Sequence, residues 1–271
     1  DVPLRDQVRA VGFVMQEPDA QIVCESVEAE LAFGLENLGC PREVMGLRVA
    51  EMAAFFGLQP WLHRRTDELS GGQKQLLNLA AAMALGPQVL VLDEPTSQLD
   101  PVAAVDFLAA VRRVNRELGT TIVMAEHRLE EALADADRFV VMDAGRIVAA
   151  GDPRIVAREL CAAGSPLVVA LPAVVQVYAA VEGVGPAAEG AVGSGDRPVP
   201  LTVREGRQWL QARFGESPAA CDAFGAIVDG GSDGCQVSHD SQGAVAEGFR
   251  LGSASVGSPR VGEAPALRLR D

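Results

Sequence analysis

The sequence predicts an α/β layered fold with a largely parallel sheet. Short, continuous apolar runs of strand length alternate with longer helical patterns over the first 150 residues, and the helical stretches begin and end on capping residues. That alternation is the pattern of strands joined by crossover helices. Val11-Gly12-Phe13-Val14-Met15 reads as the first strand. A helix starts after Ser26, with Glu28 and Glu30 in its first turns, where acids suit the positive end of the helix dipole. A second helical stretch starts near Pro41, a good first-turn residue. Gly71 to Ala84 is a third. Val89-Leu90-Val91-Leu92 is a strand covered on both faces. Asp100-Pro101 supplies an N-cap and first helical residue for a helix to about Leu118, which Gly119 ends. Thr121-Ile122-Val123-Met124-Ala125 is a second buried strand, rich in β-branched residues. Phe139 to Met142, then Asp143-Ala144-Gly145, then Arg146 to Ala149 read as a β-hairpin.

The texture changes after Gly151. Asp152-Pro153 starts a short helix to about Leu160. Pro172 to Val181 and Val203 to Phe214 are further helical candidates, separated by a Gly/Ala/Pro-rich stretch from Gly183 to Pro200. From Glu216 onward Gly, Ser and Pro make up roughly a third of the residues, which reads as a flexible linker.

Composition narrows the function classes. The 271 residues carry a net charge of −14, with 37 acidic against 23 basic side chains. That balance argues against a general nucleic-acid binder, which needs a basic footprint. No apolar stretch is long enough to span a membrane alone, and no secretory signal is visible at Asp1 to Asp6. Five scattered cysteines form no CxxC pair, which argues against a zinc site or a disulfide framework. Lys74 is the only lysine; every other basic residue is arginine.

The most specific string is Leu69-Ser70-Gly71-Gly72-Gln73. Ser70 and Gln73 have the spacing of a capping box, and the two glycines let the backbone approach a ligand. The helix that follows points free N–H groups at an anion such as a phosphate; an ordinary capped helix gives the same string. Leu90 to Glu94 places two acids at the carboxyl end of a strand, where ligands bind in open α/β sheets. Asp93 is placed to hold Mg²⁺ and Glu94 to polarise an attacking water, although acids also end strands for purely local reasons. Asp100, in Ser97-Gln98-Leu99-Asp100, is accounted for equally by a capping role. His127 follows the second buried strand and can donate to a phosphate oxygen. Gln16 closes the first strand and can touch a metal or a nucleophilic water. Each of these last residues has a plain structural reading as well.

Taken in order, these elements resemble the nucleotide-binding subunit of ABC transporters over residues 8–155. Leu69 to Gln73 matches the signature motif and Leu90 to Glu94 the Walker B strand. Ser97 to Asp100 resembles the D-loop, His127 the switch histidine and Gln16 the Q-loop glutamine. The resemblance implies a P-loop NTPase ABC-ATPase fold, here with a helical C-terminal extension (156–215) and a flexible tail (216–271). It implies Glu94 as catalytic base, assisted by His127 and Gln16, and Asp93 with Gln16 as Mg²⁺ partners. Ser70, Gly71, Gly72 and Gln73 would contact ATP held by an opposite cassette. The run Gln16 to Gln21 followed by Val27 to Asn37 is similar to the energy-coupling factor (ECF) importers. In that family ATPases on the cytoplasmic face drive a membrane T component and a substrate-binding S component. The surface around Gln21 to Leu35 is where the T component is expected to dock.

ABC ATPases hold phosphates with a G-x-x-x-x-G-K-[ST] loop. The 271 residues contain no such string, and Lys74 sits inside the signature helix. The expectation is therefore a chain shortened at its N-terminus, with a sheet lacking one strand and apolar surface left open. Ala266 to Asp271 alternates like an incipient strand and resembles the start of a second cassette in tandem; a frayed tail fits as well. Two other readings compete. A soluble ABC ATPase of DNA repair needs a long coiled coil between Q-loop and signature, but Gln16 and Ser70 are only 54 positions apart. A non-catalytic half of an asymmetric pair is disfavoured by the intact Glu94 and His127.

Overall fold

The computed structural model describes residues 3, 7, 9–127, 129–182 and 198–215. Strand β1 (Val11–Val14) leads through a one-turn helix α1 (Pro18–Gln21) to helices α2 (Val27–Asn37) and α3 (Arg42–Phe56). Helix α4 (Gly71–Ala84), strand β2 (Val89–Asp93), helix α5 (Pro101–Leu118) and strand β3 (Thr121–Ala125) follow. After the short helix α6 (Leu129–Ala132) come the hairpin strands β4 (Phe139–Asp143) and β5 (Arg146–Gly151). Helices α7 (Pro153–Ala162), α8 (Ala173–Glu182) and α9 (Val203–Phe214) complete the described chain.

Local chemistry sets most boundaries. Ser26 caps α2, its hydroxyl accepting from the Ala29 N–H at 3.3 Å. Helix α3 begins at Arg42, with Pro41 as the residue before it rather than in its first turn. Asp100 Oδ1 accepts from the N–H groups of Val102 and Ala103 at 3.0 and 2.9 Å and so caps α5. At the other end of α5, Gly119 turns out of the helix at φ 70°, a conformation that costs glycine no Cβ clash.

Strands β1, β2 and β3 form one parallel sheet in that order, as the alternation of strands and helices requires. Val14 lies beside Leu92 and Leu92 beside Met124. Val14, Leu90 and Leu92 are fully buried in a core shared with Leu31, Leu77, Leu79, Phe107 and Val114 from the helices. Truncating a side chain such as Leu79 to alanine in such a core costs about 2–5 kcal/mol.

Among the described residues nothing covers the other face of this sheet, which corrects the expectation that β2 and β3 are buried strands. Val11, Phe13 and Val123 are 44%, 46% and 53% exposed, and Val91 is half-buried. The described helices pack on only one side of the sheet, so the apolar runs are two-sided but their cover is one-sided. Met15 lies beyond the end of β1.

The hairpin is antiparallel and turns at Ala144-Gly145, as its sequence predicts. A second core joins Leu133 to Val156, Leu160, Leu171, Val175, Tyr178, Val199, Leu201 and Trp209. Val199 and Leu201, at the end of the Gly/Ala/Pro-rich stretch, are thus core residues. The expected linker 216–271, its terminal strand-like run and residues 183–197 lie outside the described residues.

One ion pair ties this second core together. The Arg154 guanidinium donates to Glu205 Oε1 and Oε2 at 2.8 and 3.0 Å and also to the Val199 carbonyl. Glu205 Oε2 accepts in addition from the Leu201 N–H at 2.8 Å. The bond to Arg154, opposed by desolvation, holds the Glu205 carboxyl below the usual carboxylate range. A lowered carboxyl contributes stability above its unfolded value of about pH 4 and loses it as pH falls further. Glu205→Gln is expected to lower stability by about 1 kcal/mol at pH 7, a figure reduced for the partial exposure of the pair. Urea midpoints should show that gap at pH 7 and its narrowing at pH 3.

Candidate functional site

Because β1, β2 and β3 run parallel, their carboxyl ends share one edge, and Gln16, Glu94 and His127 follow those ends. The structure brings the three together. Gln16 Nε2 donates to Glu94 Oε2 at 3.0 Å, and His127 Nε2 lies 2.8 Å from Glu94 Oε1. Each carboxylate oxygen of Glu94 therefore has one neutral or cationic neighbour. The Glu94 side chain is 28% exposed and that of His127 83%, so the group faces solvent on one side.

The backbone beneath Glu94 is strained. Its φ of 42° lies in the left-handed region, which costs a non-glycine residue roughly 1–3 kcal/mol. Several bonds hold it there. The Glu94 N–H donates to the Ala125 carbonyl at 2.9 Å, and the Glu94 carbonyl accepts from the N–H and the hydroxyl of Ser97 at 3.1 and 2.9 Å. Strain held by surrounding bonds at a solvent-facing carboxylate is a mark of a functional position.

Asp93 ends β2 exposed, and its carboxylate has no hydrogen-bond or ion-pair partner among the described residues. With its Nε2 turned to Glu94, Gln16 keeps its amide oxygen as an acceptor. Two oxygen donors suit Mg²⁺, a hard ion that keeps several waters and takes further ligands from phosphates. Among the described residues no cluster of three His, Cys, Asp or Glu side chains forms a self-sufficient metal site.

The signature residues sit apart from this group, at the N-terminus of α4. Ser70 and Gln73 form the expected capping box: Ser70 Oγ accepts from the Gln73 N–H at 3.3 Å, and Gln73 Oε1 accepts from the Ser70 N–H at 2.9 Å. The Gln73 carboxamide oxygen is thus occupied within the helix end. Gly71 and Gly72 occupy the first helical positions, whose N–H groups have no intrahelical acceptor. A Cβ on Gly72 would stand 2.7 Å from Ala103 Cβ, so this glycine is what lets the starts of α4 and α5 touch, next to the capping residue Asp100.

Three side chains of α4 that motif reading passes over lock it to the strand ends. Gln75 is fully buried, and its Nε2 donates to the carbonyls of Met15 and Pro95 at 3.0 and 3.1 Å. Asn78, also fully buried, donates to the Pro18 carbonyl at 3.0 Å. Lys74 reaches Asp19 Oδ1 at 2.6 Å with most of its stem covered. The one sequence signal for Gln75 and Asn78 is a polar residue on the buried side of a helix, since such groups are there to be hydrogen-bonded.

Residues 4–97 match the family model for ABC transporters. A Bacillus anthracis protein described as an ABC transporter ATP-binding protein is 48% identical over 160 residues, covering 59% of this chain and 29% of that protein. The energy-coupling factor transporter ATP-binding protein EcfA1 of Symbiobacterium thermophilum is 48% identical over 151 residues, 56% of this chain and 51% of that protein. Among solved structures, cbiO1 from Clostridium perfringens, part of the ABC transporter complex cbiONQ, is similar with a TM-score of 0.52. The identity there is 31%, over 56% of this chain and 63% of that one. The chain spans under a third of the Bacillus relative and about half of the ECF one. The chain thus carries an ABC transporter domain over residues 4–97 and has the α/β P-loop NTPase fold of such ATP-binding proteins.

Gln75→Leu would keep the volume on α4 but leave two carbonyls without their donor. It is expected to lower unfolding stability by about 1–3 kcal/mol, read from the shift in denaturant midpoint.

Proposed function

We propose that this chain is a member of the ABC transporter family and most of one ATP-hydrolysing cassette that powers uptake through an ECF-type importer. The observation that carries the reading is the convergence of Gln16 and His127 on the two carboxylate oxygens of Glu94 at the carboxyl edge of a parallel sheet. A carboxylate fixed in that way, and open to solvent on one side, is suited to accept a proton from an attacking water. His127 orients it from one side and Gln16 from the other. Mg²⁺ bound at Asp93 and the Gln16 amide oxygen would neutralise phosphate charge.

In this reading Ser70, Gly71 and Gly72 present the helix end to the γ-phosphate of ATP held by an opposite cassette, with Gln73 holding the cap and Asp100 fixing the facing helix. A G-x-x-x-x-G-K-[ST] phosphate loop, the string that holds ATP in such cassettes, does not occur among these 271 residues. A tandem arrangement is supported by the Bacillus relative, which is more than three times as long as the segment aligned with this chain. Residues 1–155 would form the cassette, 156–215 an extension and 216–271 a linker.

The ECF assignment rests on the EcfA1 relative and on the cbiO1 structure, which belongs to a complex with other components. Val23 and Phe33, 66% and 38% exposed, fall in the region expected to meet a membrane T component, which would itself carry an S component. The Glu30 carboxylate, buried to 5% exposure, braces this surface by accepting from the N–H groups of Val23 and Cys24 at 3.0 and 2.7 Å. No described helix is long and apolar enough to cross a membrane; the likeness to EcfA1 and cbiO1 is what supports a peripheral place on the cytoplasmic face of the membrane.

Single-turnover hydrolysis of ATP by the full-length protein tests the reading. Replacing Glu94 by Gln is expected to slow the chemical step by about 10²–10⁴-fold while ATP still binds. An unchanged rate at that site would remove Glu94 from the chemistry.

A further inference from the structure

Backbone pairing between β2 and β3 ends just before the reactive group. The last rung is the bond from the Glu94 N–H to the Ala125 carbonyl. Beyond it Glu94 swings into a left-handed conformation and Pro95 has no N–H to donate, so the ladder cannot continue. Yet Glu94 and His127 must lie side by side for their 2.8 Å contact. The His127 side chain is largely exposed, so its placement depends on the backbone that carries it.

A side chain takes over where the ladder stops. Glu126 Oε1 accepts from both the N–H and the hydroxyl of Thr96, at 3.1 and 2.7 Å. Thr96 is only 3% exposed, so both donors would be stranded without this acceptor. Thr96 follows Glu94 by two residues, and Glu126 immediately precedes His127. The pair thus fastens the loop that carries one partner to the loop that carries the other.

We propose that Glu126 is a positioning residue: its carboxylate latches Thr96 and thereby sets the distance between Glu94 and His127. The latch needs an acceptor oxygen and no charge, so a glutamine at 126 should serve as well. A role in proton transfer or charge stabilisation would not survive that exchange. The kinetic part of the inference rests on the proposed hydrolysis at Glu94; the latch itself does not.

The test compares Glu126→Gln, Glu126→Ala and Thr96→Val in the full-length protein by steady-state ATP hydrolysis and by amide hydrogen exchange at Thr96. Misplacing a catalytic group is costly, so Glu126→Ala and Thr96→Val are expected to lower kcat by about tenfold or more with KM for ATP nearly unchanged. Glu126→Gln should stay within about threefold of the parent protein, because the acceptor geometry that positions the group is kept. Thr96 exchange should quicken in Glu126→Ala and remain slow in Glu126→Gln. The proposal is overturned if Glu126→Gln loses as much activity as Glu126→Ala, or if Glu126→Ala changes neither kcat nor exchange. Should Glu126→Ala fail to fold, Thr96→Val decides, an unaltered kcat counting against the latch. A parent protein that hydrolyses no ATP would defeat the functional reading alone, and the exchange rates would then decide the latch.

Discussion

Parallel pairing of β1 with β2 and of β2 with β3 sends three strands the same way, so each releases its next residues along one shared edge. Gln16, Glu94 and His127 are 78 and 33 positions apart in chain, yet they meet because pairing leaves their strand ends level. Register matters as much as order. With Val14 beside Leu92 and Leu92 beside Met124, Gln16 and Glu94 stand two positions beyond that row and His127 three, so the three arrive at one place. A slip of one residue would turn every side chain to the opposite face, bury Phe13 and Val123, and expose Val14 and Leu92. The apolar core therefore fixes the register, and the register fixes the site.

The same edge is held from below by α4. Its first turn carries the signature residues, and its next two turns carry Lys74, Gln75 and Asn78, which bond to Asp19, to Met15 and Pro95, and to Pro18. Gln75 and Asn78 each retain a buried side-chain oxygen without a partner among the described residues, a cost accepted for the bonds their amide nitrogens make. These contacts make the helix end, the segment after β1 and the turn after β2 parts of one rigid unit. Gly72 extends the unit to α5, because only the absence of a Cβ allows Ala103 so near.

Much of this was legible in the sequence, and the division follows physical range. Helix ends depend on chemistry within three or four residues, so Ser26, Ser70, Asp100 and Gly119 could be read directly. The strand ends bearing Gln16, Glu94 and His127 were legible because apolar runs mark strands and polar residues mark where they stop. Burial was not: Thr121 to Ala125 reads as a buried strand, but whether its sides are covered depends on what packs there, and Val123 is half exposed. Bonds across long separations were not legible either. Nothing near Glu126 announces Thr96, thirty positions away, and nothing near Lys74 announces Asp19.

The strain at Glu94 shows why such long-range bonds are needed. A left-handed glutamate is unfavourable by itself, and a carboxylate pointing into solvent has many rotamers open to it. Two bonds from Ser97 and one to Ala125 fix its backbone; one contact from Gln16 and one from His127 fix its side chain. Both side-chain contacts come from other strand ends, so the carboxylate is only as well placed as those ends are relative to β2. Gln75 ties the Gln16 side to the turn after β2 through Met15 and Pro95, and Glu126 ties the His127 side to the same turn through Thr96. Pro95 and Thr96 are adjacent. The Glu94 carboxylate thus stands one residue before the point where both braces converge, which is where a strained backbone can be held most firmly with the fewest bonds.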